Sequence, residues 1–469
     1  MLRASLDTLT QVTSGTVVHG AGTVTVNGVA VDSREVTPGC LYVAFRGEHA
    51  DGHDFVAAAL TAGARAALVT RWDEALETAV VEARRPDVAI VQVADALTAV
   101  SALAAWHRAR LNRPVIGITG STGKTTTKDF IASALATKLN VVATRGNRNN
   151  ELGVPLTLLE AGSDTDVVVV EMGMRGPGQI AALCRIASPT AALVTNVGMT
   201  HIEVLGSQEA IVDAKAEIVR CIGSEGRVFL NGDDALSARL AEQTMAPVVT
   251  YGTDSHDDVR AVGLTVGEDG LPSFTLEAGD ETATVTLPLP GRHNAYNAAA
   301  AAAVALYLGL SLSEIAEGLG NARTTGMRME VFSSAGGVTV INDAYNASPT
   351  SMRAALATLR EMPAQGRRIA VLGDMAELGS LSELAHFGLG ELVPRSADIL
   401  VTVGTCAQRI AEGARAEGMP AESVRPCANV EEAREVLDDL LAPGDVVLVK
   451  ASRVMQLERI VEGIIEPHA

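Results

Sequence analysis

A glycine- and threonine-rich stretch holds the residue types that best fit a chemical role. The β-branched run 115–119 breaks into Gly120-Ser121-Thr122-Gly123-Lys124-Thr125-Thr126, which is typical of a buried strand, a tight turn and a helix start. Gly120 and Gly123 allow the backbone to approach an anion, the helix N-terminus directs N–H groups at it, and Lys124 adds a positive charge. The stretch therefore predicts a phosphate-binding loop, with Thr125 placed to hold Mg²⁺.

The spacing of this loop is shorter than the general P-loop pattern, which has a glycine five residues before Gly123, where this chain has Ile118. The shorter pattern Thr-Gly-x-x-Gly-Lys-Thr-Thr fits instead. The alternative is an ordinary glycine-rich turn with a surface lysine. The apolar run before the loop and the threonines after Lys124 disfavour that alternative, so nucleotide binding is our hypothesis.

The composition limits the class of protein. A chain of 469 residues with 47% hydrophobic residues predicts two to four domains, each with its own core. Aromatic residues are only 3% and the net charge is −19, which argues against nucleic acid or a membrane surface as the main partner. The five cysteines show no CxxC spacing, which disfavours a disulfide framework or a zinc site. No signal peptide or membrane-spanning run is visible, and this predicts a cytoplasmic protein.

Continuous apolar runs alternate with helices in the middle of the chain and predict a doubly wound α/β sheet. The predicted strands are 115–118, 141–143, 167–171, 191–195 and 227–230. Ligands of such sheets lie beyond the carboxyl ends of the strands. The residues at those ends are polar: Asn149 and Asn150, Glu171, and His201. We expect them to lie at the same edge of the sheet as Lys124.

Three further side chains in this region could take part in metal chemistry. Glu171 and His201 end neighbouring strands beside the phosphate loop, where they could bind or orient Mg²⁺. Taken singly, each could be a surface residue, but the shared edge favours the metal role. Lys215 lies among small residues on a helix predicted over 208–221, and the alternative there is a solvated charge pair with Glu217.

The two flanking regions read as separate α/β units. Residues 1–112 predict small strands and one short helix, 56–63, followed by a longer helix, 94–110, which ends before Pro114. Within this region Asp32-Ser33-Arg34 is first explained by turn chemistry. In the central region, a small β insertion is predicted between residues 259 and 289. The last region predicts strands 338–342, 368–373, 398–403 and 445–449, alternating with helices 350–361, 382–392, 406–417 and 431–441.

The combination of motifs closely resembles the Mur ligases of peptidoglycan synthesis. In that family the glutamate and the histidine bind magnesium and the lysine is carbamylated to act as an extra carboxylate. The resemblance assigns these roles to Glu171, His201 and Lys215. The motifs that carry it are Thr-Gly-Ser-Thr-Gly-Lys-Thr-Thr (119–126), Asn-Arg-Asn-Asn-Glu-Leu-Gly-Val-Pro (147–155), Val-Glu-Met-Gly (170–173), Asn-Val-Gly-Met-Thr-His-Ile-Glu (196–203) and Ala-Lys-Ala-Glu-Ile (214–218).

The resemblance also implies the nucleotide contacts and the reaction. Asn294 and Asn297 match the family's asparagines near the adenine, Arg328 matches the arginine that reaches the terminal phosphate, and Asp343 matches the aspartate that contacts the ribose. The implied activity is an ATP- and Mg²⁺-dependent amide ligase that forms an acyl phosphate and releases ADP and phosphate. The N-terminal residues Ser33 and Arg34 match the family's domain for the UDP end of the substrate. The resemblance therefore favours a substrate-binding role for Asp32-Ser33-Arg34 over simple turn chemistry.

Motifs in the last region narrow the expected substrates. Residues 343–352 and 450–453 are similar to those of the family member that adds D-alanyl-D-alanine to UDP-N-acetylmuramoyl-tripeptide. The resemblance then assigns the contacts with the dipeptide to Tyr345, Asn346, Lys450 and Ser452. Asn149 and Asn150, with the two N-terminal residues, are assigned to the UDP-linked substrate. Ala451 replaces the family's glycine, and alanine would be strained there if that position required positive φ.

The complete expectation is an α/β protein of three domains acting as a cytoplasmic monomer. The domains are 1–112 for the UDP-linked substrate, a doubly wound P-loop ATPase domain at 113–324, and a Rossmann-like domain at 325–469 for the incoming dipeptide. Two other classes stay open at this point. A P-loop motor is disfavoured because no basic or aromatic track is visible, and a folate polyglutamylating ligase should lack the UDP-binding domain.

Overall fold

The computed structural model describes residues 1–20, 23–85, 87–200 and 202–465. In its N-terminal part, β4 to β7 pair in parallel and β2 joins β7 antiparallel, in the order β2-β7-β6-β5-β4, while β1 pairs with β3. The helices predicted over 56–63 and 94–110 are confirmed, and two other helices, α1 and α3, were not predicted. The elements are β1 (Arg3–Ser5), α1 (Leu6–Thr13), β2 (Thr16–His19), β3 (Thr25–Asn27), β4 (Val29–Ala30), β5 (Leu41–Val43), α2 (Val56–Ala62), β6 (Ala66–Val69), α3 (Glu74–Glu82), β7 (Ala89–Gln92) and α4 (Ala96–Arg108).

The middle of the chain forms one nine-stranded sheet in the order β16-β15-β14-β13-β12-β11-β8-β10-β9. The five predicted strands are confirmed as β8 to β12. Its elements are β8 (Val115–Thr119), α5 (Lys124–Leu135), β9 (Val141–Ala143), α6 (Gly153–Glu160), β10 (Val167–Glu171), α7 (Gln179–Ala187), β11 (Ala191–Val194), α8 (Ile202–Leu205), α9 (Gln208–Arg220), β12 (Arg227–Asn231), α10 (Ser237–Ala241), β13 (Val248–Gly252), β14 (Val259–Val266), β15 (Pro272–Ala278), β16 (Glu281–Thr286), α11 (His293–Tyr307) and α12 (Leu312–Gly320).

The predicted β insertion proves to be part of this central sheet. Strand β14 pairs in parallel with β13, and β15 and β16 continue the sheet antiparallel. Strand β15 alternates between buried and partly exposed residues, because one face packs on the core and the other faces solvent, whereas the edge strand β16 is mostly exposed. The sheet is therefore mixed, with an antiparallel extension at one edge.

The C-terminal part forms a six-stranded sheet in the order β17-β18-β22-β19-β20-β21, parallel except for β17. The four predicted strands and four predicted helices are confirmed, whereas β17, β21 and α17 were not predicted. The elements are β17 (Glu330–Ser333), β18 (Thr339–Asn342), α13 (Pro349–Glu361), β19 (Arg368–Gly373), α14 (Ser382–Gly390), β20 (Ile399–Val403), α15 (Gln408–Ala416), β21 (Val424–Cys427), α16 (Val430–Leu440), β22 (Val446–Lys450) and α17 (Glu458–Ile465).

The chain divides into two compact units. The first comprises Met1–Gly117, Leu139–Met174 and Gln179–Ala191, and the second comprises Ile118–Lys138, Arg175–Gly178 and Ala192–Ala469. The phosphate loop, Lys215 and the C-terminal sheet thus belong to the second unit, and Glu171 belongs to the first. Among the helices of the described ranges, none is long and apolar enough to cross a membrane.

Candidate active site

The phosphate loop joins β8 to α5 and requires glycine at both predicted positions. Gly120 has φ +150° and Gly123 has φ +78°, conformations that other residues rarely adopt. A Cβ at Gly120 would collide with the side chain of Thr195, and one at Gly123 would lie 2.7 Å from Asn297 Oδ1. The glycines therefore provide both the backbone conformation and the space that the loop needs.

The segment after β11 braces this loop from one side. The Thr122 N–H donates to Asn196 Oδ1 at 3.0 Å, and the Thr195 hydroxyl donates to the Thr122 carbonyl at 2.5 Å. The Ser121 hydroxyl donates to the Gly198 carbonyl at 2.9 Å and accepts from the Gly198 N–H at 2.8 Å. These contacts hold the loop before any ligand binds. The sequence marked this segment as polar but did not reveal its bracing role.

Lys124 begins α5 and turns its side chain back over the loop. Its Nζ donates to the Gly120 carbonyl at 2.8 Å and to the Ser121 carbonyl at 3.3 Å. Thr125 and Thr126 follow in the first turn of the helix and are buried. N–H groups in the first turn of a helix, together with an adjacent lysine, form a site for phosphate oxygens. The arrangement fits the predicted nucleotide loop.

Asn294 and Asn297 lie on α11 and are buried against the phosphate-loop helix. Asn297 Oδ1 accepts from the Thr127 hydroxyl at 3.2 Å, and its Nδ2 donates to Asn294 Oδ1 at 3.0 Å. Asn294 Nδ2 in turn donates to the Pro290 carbonyl at 2.8 Å. Asn297 therefore ties α11 to α5 and Asn294 supports Asn297, in addition to the adenine role that the resemblance implies for both.

Lys215 lies inside the protein on α9, with only 1% of its surface exposed. Its neighbours Ala214, Ala216 and Ile218 are also buried. The pKa of Lys215 is well below its usual value, chiefly because burial penalises the charged amine and secondly because of the positive charge of Lys124. The burial of Lys215 rules out a solvated charge pair with Glu217, which accepts the Gly178 N–H at 2.6 Å.

Glu171 ends β10 in the first unit and is 1% exposed. Asn149 Nδ2 donates to Glu171 Oε1 at 2.7 Å, and the Glu171 N–H donates to the Thr144 hydroxyl at 2.9 Å. A buried, oriented carboxylate is a donor that Mg²⁺ prefers, as is the hydroxyl of Thr125. Within the described ranges, no three His, Cys, Asp or Glu residues cluster as a metal site. His201 lies outside the described residues.

The residues assigned to the UDP-linked substrate occupy turns of the first unit. Asp32 accepts the Arg34 N–H and pairs with its guanidinium at 2.6 Å, and these contacts lower the pKa of the Asp32 carboxyl to about 2. Ser33 begins the short 3₁₀ turn that Asp32 caps, and Arg34 is exposed. Asn150 Oδ1 accepts the Gly153 N–H at 3.0 Å, where α6 begins.

Arg328 precedes β17 on a tight turn. Its neighbours Met327 and Met329 have φ values of +61° and +53°. The guanidinium lies 4.1 Å from the centre of the Tyr345 ring, and Nε is buried with no hydrogen-bond partner among the residues that the structure describes. The Met329 N–H donates to Asp343 Oδ1 at 3.3 Å. Tyr345 therefore contacts the arginine that the resemblance assigns to phosphate.

Asp343 and Lys450 come together at the carboxyl ends of β18 and β22. Lys450 is 2% exposed, and its Nζ contacts Asp343 Oδ2 at 2.5 Å and the Asn346 carbonyl at 2.9 Å. Ser452 accepts the Ala376 N–H at 2.8 Å. Ala451 is not among the residues with positive φ, so the strain considered for that position does not arise.

The glycine loop, its lysine and the sheet around them define a P-loop nucleotide-binding protein of the α/β class. Three family descriptions match the chain: "Mur ligase family, catalytic domain" over residues 25–107, "Mur ligase middle domain" over 118–305, and "Mur ligase, glutamate ligase domain" over 327–453. The chain belongs to the Mur ligase family. It accordingly has a small N-terminal α/β domain, a central doubly wound P-loop domain and a C-terminal Rossmann-like domain.

Similar proteins span the whole chain. The UDP-N-acetylmuramoyl-tripeptide–D-alanyl-D-alanine ligase of Bacillus subtilis (strain 168) is 37% identical over 468 residues, covering 99% of each chain. The crystal structure of MurF from Acinetobacter baumannii superposes with a TM-score of 0.85 at 31% identity, covering 99% of both. MurF from Thermotoga maritima in complex with ADP gives a TM-score of 0.76 at 30% identity, covering 93% of this chain and 96% of that one.

Proposed function

We propose that this chain is an ATP-dependent ligase that joins D-alanyl-D-alanine to UDP-N-acetylmuramoyl-tripeptide in peptidoglycan precursor synthesis. The observation that carries the proposal is the braced phosphate loop with Lys124 over it. The chain is also similar over its length to ligases named for joining D-alanyl-D-alanine to UDP-N-acetylmuramoyl-tripeptide. The ADP complex of a similar ligase supports nucleotide binding here. The products are ADP, phosphate and the lengthened peptide.

The first step activates the carboxylate of the tripeptide. A carboxylate is a poor electrophile, so the γ-phosphoryl group of ATP must first be transferred to it. Lys124 and Arg328 neutralise the charge that develops on the transferring phosphoryl group. Thr125, Glu171, His201 and the carbamylated Lys215 would hold magnesium, which would supply further charge neutralisation at the phosphates. Asn294 and Asn297 lie toward the adenine, and Asp343 contacts the ribose.

Lys215 serves this step after carbamylation. Its amine adds to carbon dioxide with loss of a proton, which gives a nitrogen-bound carboxylate. Its burial on α9 among small side chains is compatible with this role, because a free ammonium there would be poorly solvated. A carbamate adds an oxygen ligand of the kind that magnesium takes.

The second step forms the amide bond. The amine of D-alanyl-D-alanine attacks the acyl phosphate, and the tetrahedral intermediate collapses to the amide and phosphate. Lys450 and Ser452, with Tyr345 and Asn346, bind the dipeptide. Water would hydrolyse the acyl phosphate, so the site must exclude it during this step.

The remaining assignments complete the proposal. Ser33, Arg34, Asn149 and Asn150 bind the UDP-linked substrate. The domains are 1–112, 113–324 and 325–469. The enzyme works as a cytoplasmic monomer.

A competition between two substrate mixtures tests the function. One mixture holds the UDP-linked tripeptide with D-alanyl-D-alanine, the other the UDP-linked dipeptide with a diamino acid, and mass spectrometry weighs the products. We expect ligation only in the first mixture, with ADP and phosphate released. The variant Lys124→Ala should give no product in either mixture, although its Tm should stay within a few degrees of the wild-type Tm. Ligation only in the second mixture, or release of AMP and pyrophosphate, would contradict the proposal.

A further inference from the structure

A buried aspartate on the phosphate-loop helix holds the chain segment that leads to Arg328. Asp129 lies on α5 and is 8% exposed. Its Oδ2 accepts the Thr325 N–H at 2.7 Å, and its Oδ1 pairs with the equally buried Lys128 Nζ at 2.6 Å. We propose that Asp129 is a positioning residue that ties the linker, residues 321–329, to the phosphate-loop helix and so sets the point from which Arg328 approaches the phosphates. The inference rests on the proposed function.

The contact is the last of three that run along α5 toward its N-terminus. Glu314 on α12 pairs with Lys138, just beyond the C-terminal end of α5, at 2.7 Å. Gly318, one turn further along α12, packs so closely on α5 that a Cβ there would lie 2.6 Å from Ala134 Cα. Thr325 then bonds to Asp129. The chain after α11 therefore runs antiparallel along α5, back toward the phosphate loop.

The spacing of these contacts brings Arg328 within reach of the loop. Asp129 follows Lys124 by five residues, which is about 7.5 Å along the helix axis. Arg328 follows Thr325 by three residues, and three residues of extended chain span at most about 10 Å. An arginine anchored at Thr325 can thus reach the end of α5 at which Lys124 lies. Without the anchor, Arg328 would be held only from the C-terminal side, by the Tyr345 ring and by the Met329 N–H bond to Asp343.

The anchor also confines where the linker can bend. Beyond Thr325 come Gly326 and the two residues with positive φ that flank Arg328, Met327 and Met329. Unusual backbone conformations of this kind concentrate at segments that change shape or orient functional groups. Met327 and Met329 are bonded to the C-terminal part, through the Met327 carbonyl and the Met329 N–H. With Thr325 tied to α5, any movement of the C-terminal sheet relative to α5 must therefore be absorbed in the short stretch between Thr325 and Met327. The tie therefore couples such movement to the placement of Arg328.

Substitutions at position 129 test the tie. Asp129→Ala removes the acceptor, whereas Asp129→Asn keeps an oxygen that accepts from the Thr325 N–H. We expect Asp129→Ala to lower kcat at least tenfold with the KM for ATP changed less than threefold, and Asp129→Asn to keep at least half of kcat. Hydrogen exchange of the Thr325 amide should accelerate at least tenfold in the alanine variant and little in the asparagine variant.

Asp445 offers a matched control. It is buried, pairs with Arg367 at 2.6 Å and accepts the Arg367 N–H at 2.8 Å, but it immediately precedes β22 of the C-terminal sheet. Asp445→Ala should lose stability while keeping kcat within twofold, when assayed at a temperature where both variants are folded. An unchanged kcat in Asp129→Ala, or an equal loss in Asp445→Ala, would overturn the inference. Absence of wild-type ligation would instead overturn the proposed function, and accelerated exchange at Thr325 would still support the tie.

Discussion

Two lysines of the second unit illustrate how position decides the chemistry of one residue type. Lys124 lies over the phosphate loop, where carbonyl oxygens accept from its amine. Lys215 is buried, and the charge of Lys124 contributes to its lowered pKa. The first lysine is suited to meet phosphate as a cation. The second favours the neutral amine, which is the form that adds to carbon dioxide.

A rescue experiment at Lys215 tests the carbamate. We expect Lys215→Ala to lose at least 99% of ligase activity, because it lacks the amine on which the extra carboxylate forms. Added formate or acetate should restore part of that activity by supplying a carboxylate in the space left by the side chain. Initial rates across a series of formate concentrations provide the measurement. Full activity of Lys215→Ala without any carboxylate would refute the role.

His386 provides a pH-dependent contribution to stability. It is fully buried, its Nε2 accepts the Met375 N–H at 2.9 Å and its Nδ1 donates to the Ser382 carbonyl at 2.7 Å, an arrangement of the neutral ring. Burial lowers the pKa of His386. The folded state therefore binds its proton less readily than the unfolded state, so stability falls as the pH drops below about 6.5, the usual histidine value.

Urea unfolding at pH 7.5 and at pH 5.5 measures this effect. Wild type and His386→Asn should both lose free energy of unfolding at the lower pH, since burial also lowers the pKa of His107. The loss should be larger in the wild type, because the variant has no titrating ring at position 386. Equal losses would show that His386 titrates alike in the folded and unfolded states.

Among individual residues, the sequence revealed those that stand in a short, recognisable motif. Lys124 and Lys215 stand out because glycines or alanines surround them in the chain. The distant partners in the bracing contacts do not stand out: Asn196 lies 74 positions from Thr122, and Asp129 lies 196 positions from Thr325. Only the folded chain reveals that these side chains serve the site. The pairing of Asp343 with Lys450 was hidden for the same reason.

At the scale of elements, the phosphate loop depends on the exact space between β8, β11 and α5. Gly120→Ala would add both an unfavourable φ and a collision with Thr195. Gly309→Ala is a matched control, because Gly309 has φ +88° and no atom within 4 Å of an added Cβ. The control should lose about 1–2 kcal/mol of stability from the backbone alone.

Gly120→Ala should lose more stability than this control and should also bind ADP at least tenfold more weakly. The loop must shift away from Thr195, and its N–H groups then no longer face the phosphates. Urea unfolding and calorimetric titration with ADP supply the two measurements. An ADP affinity equal to that of Gly309→Ala would show that the loop tolerates a side chain at position 120.

The elements that the sequence predicted are those with strong hydrophobic patterns. The strands β8 to β12 are nearly continuous apolar runs, fully buried in β8, β10 and β11, so their type and bounds follow from the pattern. Strand β21 contains Arg425 and Pro426, and β17 alternates partly buried with exposed residues at the sheet edge, so neither has a continuous run. The helices α1 and α3 bury only two apolar residues each, Leu6 and Leu9 in α1 and Leu76 and Val80 in α3. So few apolar positions show little helical periodicity in the sequence.

At the scale of the whole molecule, the proposed ligands divide between the two units. The phosphate loop, Asn294, Arg328 and Asp343 belong to the second unit, whereas Ser33 and Arg34 belong to the first. The chain as a whole is strongly acidic, with a net charge of −19, although ATP and the UDP-linked tripeptide are themselves anionic. Binding therefore depends on local groups, such as helix N-termini and single cations, and not on the overall field.

Hydrogen exchange with each ligand separately should reveal this division. With ADP we expect the strongest protection at residues 120–128, because the phosphates engage N–H groups of the loop and of the first turn of α5. With the UDP-linked tripeptide alone we expect protection around residues 30–36 and little at the loop. A ligand that binds the folded state suppresses local opening in proportion to its saturation, so both ligands must be compared at equal multiples of their Kd. The contradicting result is that the UDP-linked tripeptide alone protects residues 120–128 and leaves residues 30–36 unchanged. Both ligands would then bind the second unit, and the proposed role of the N-terminal region would be wrong.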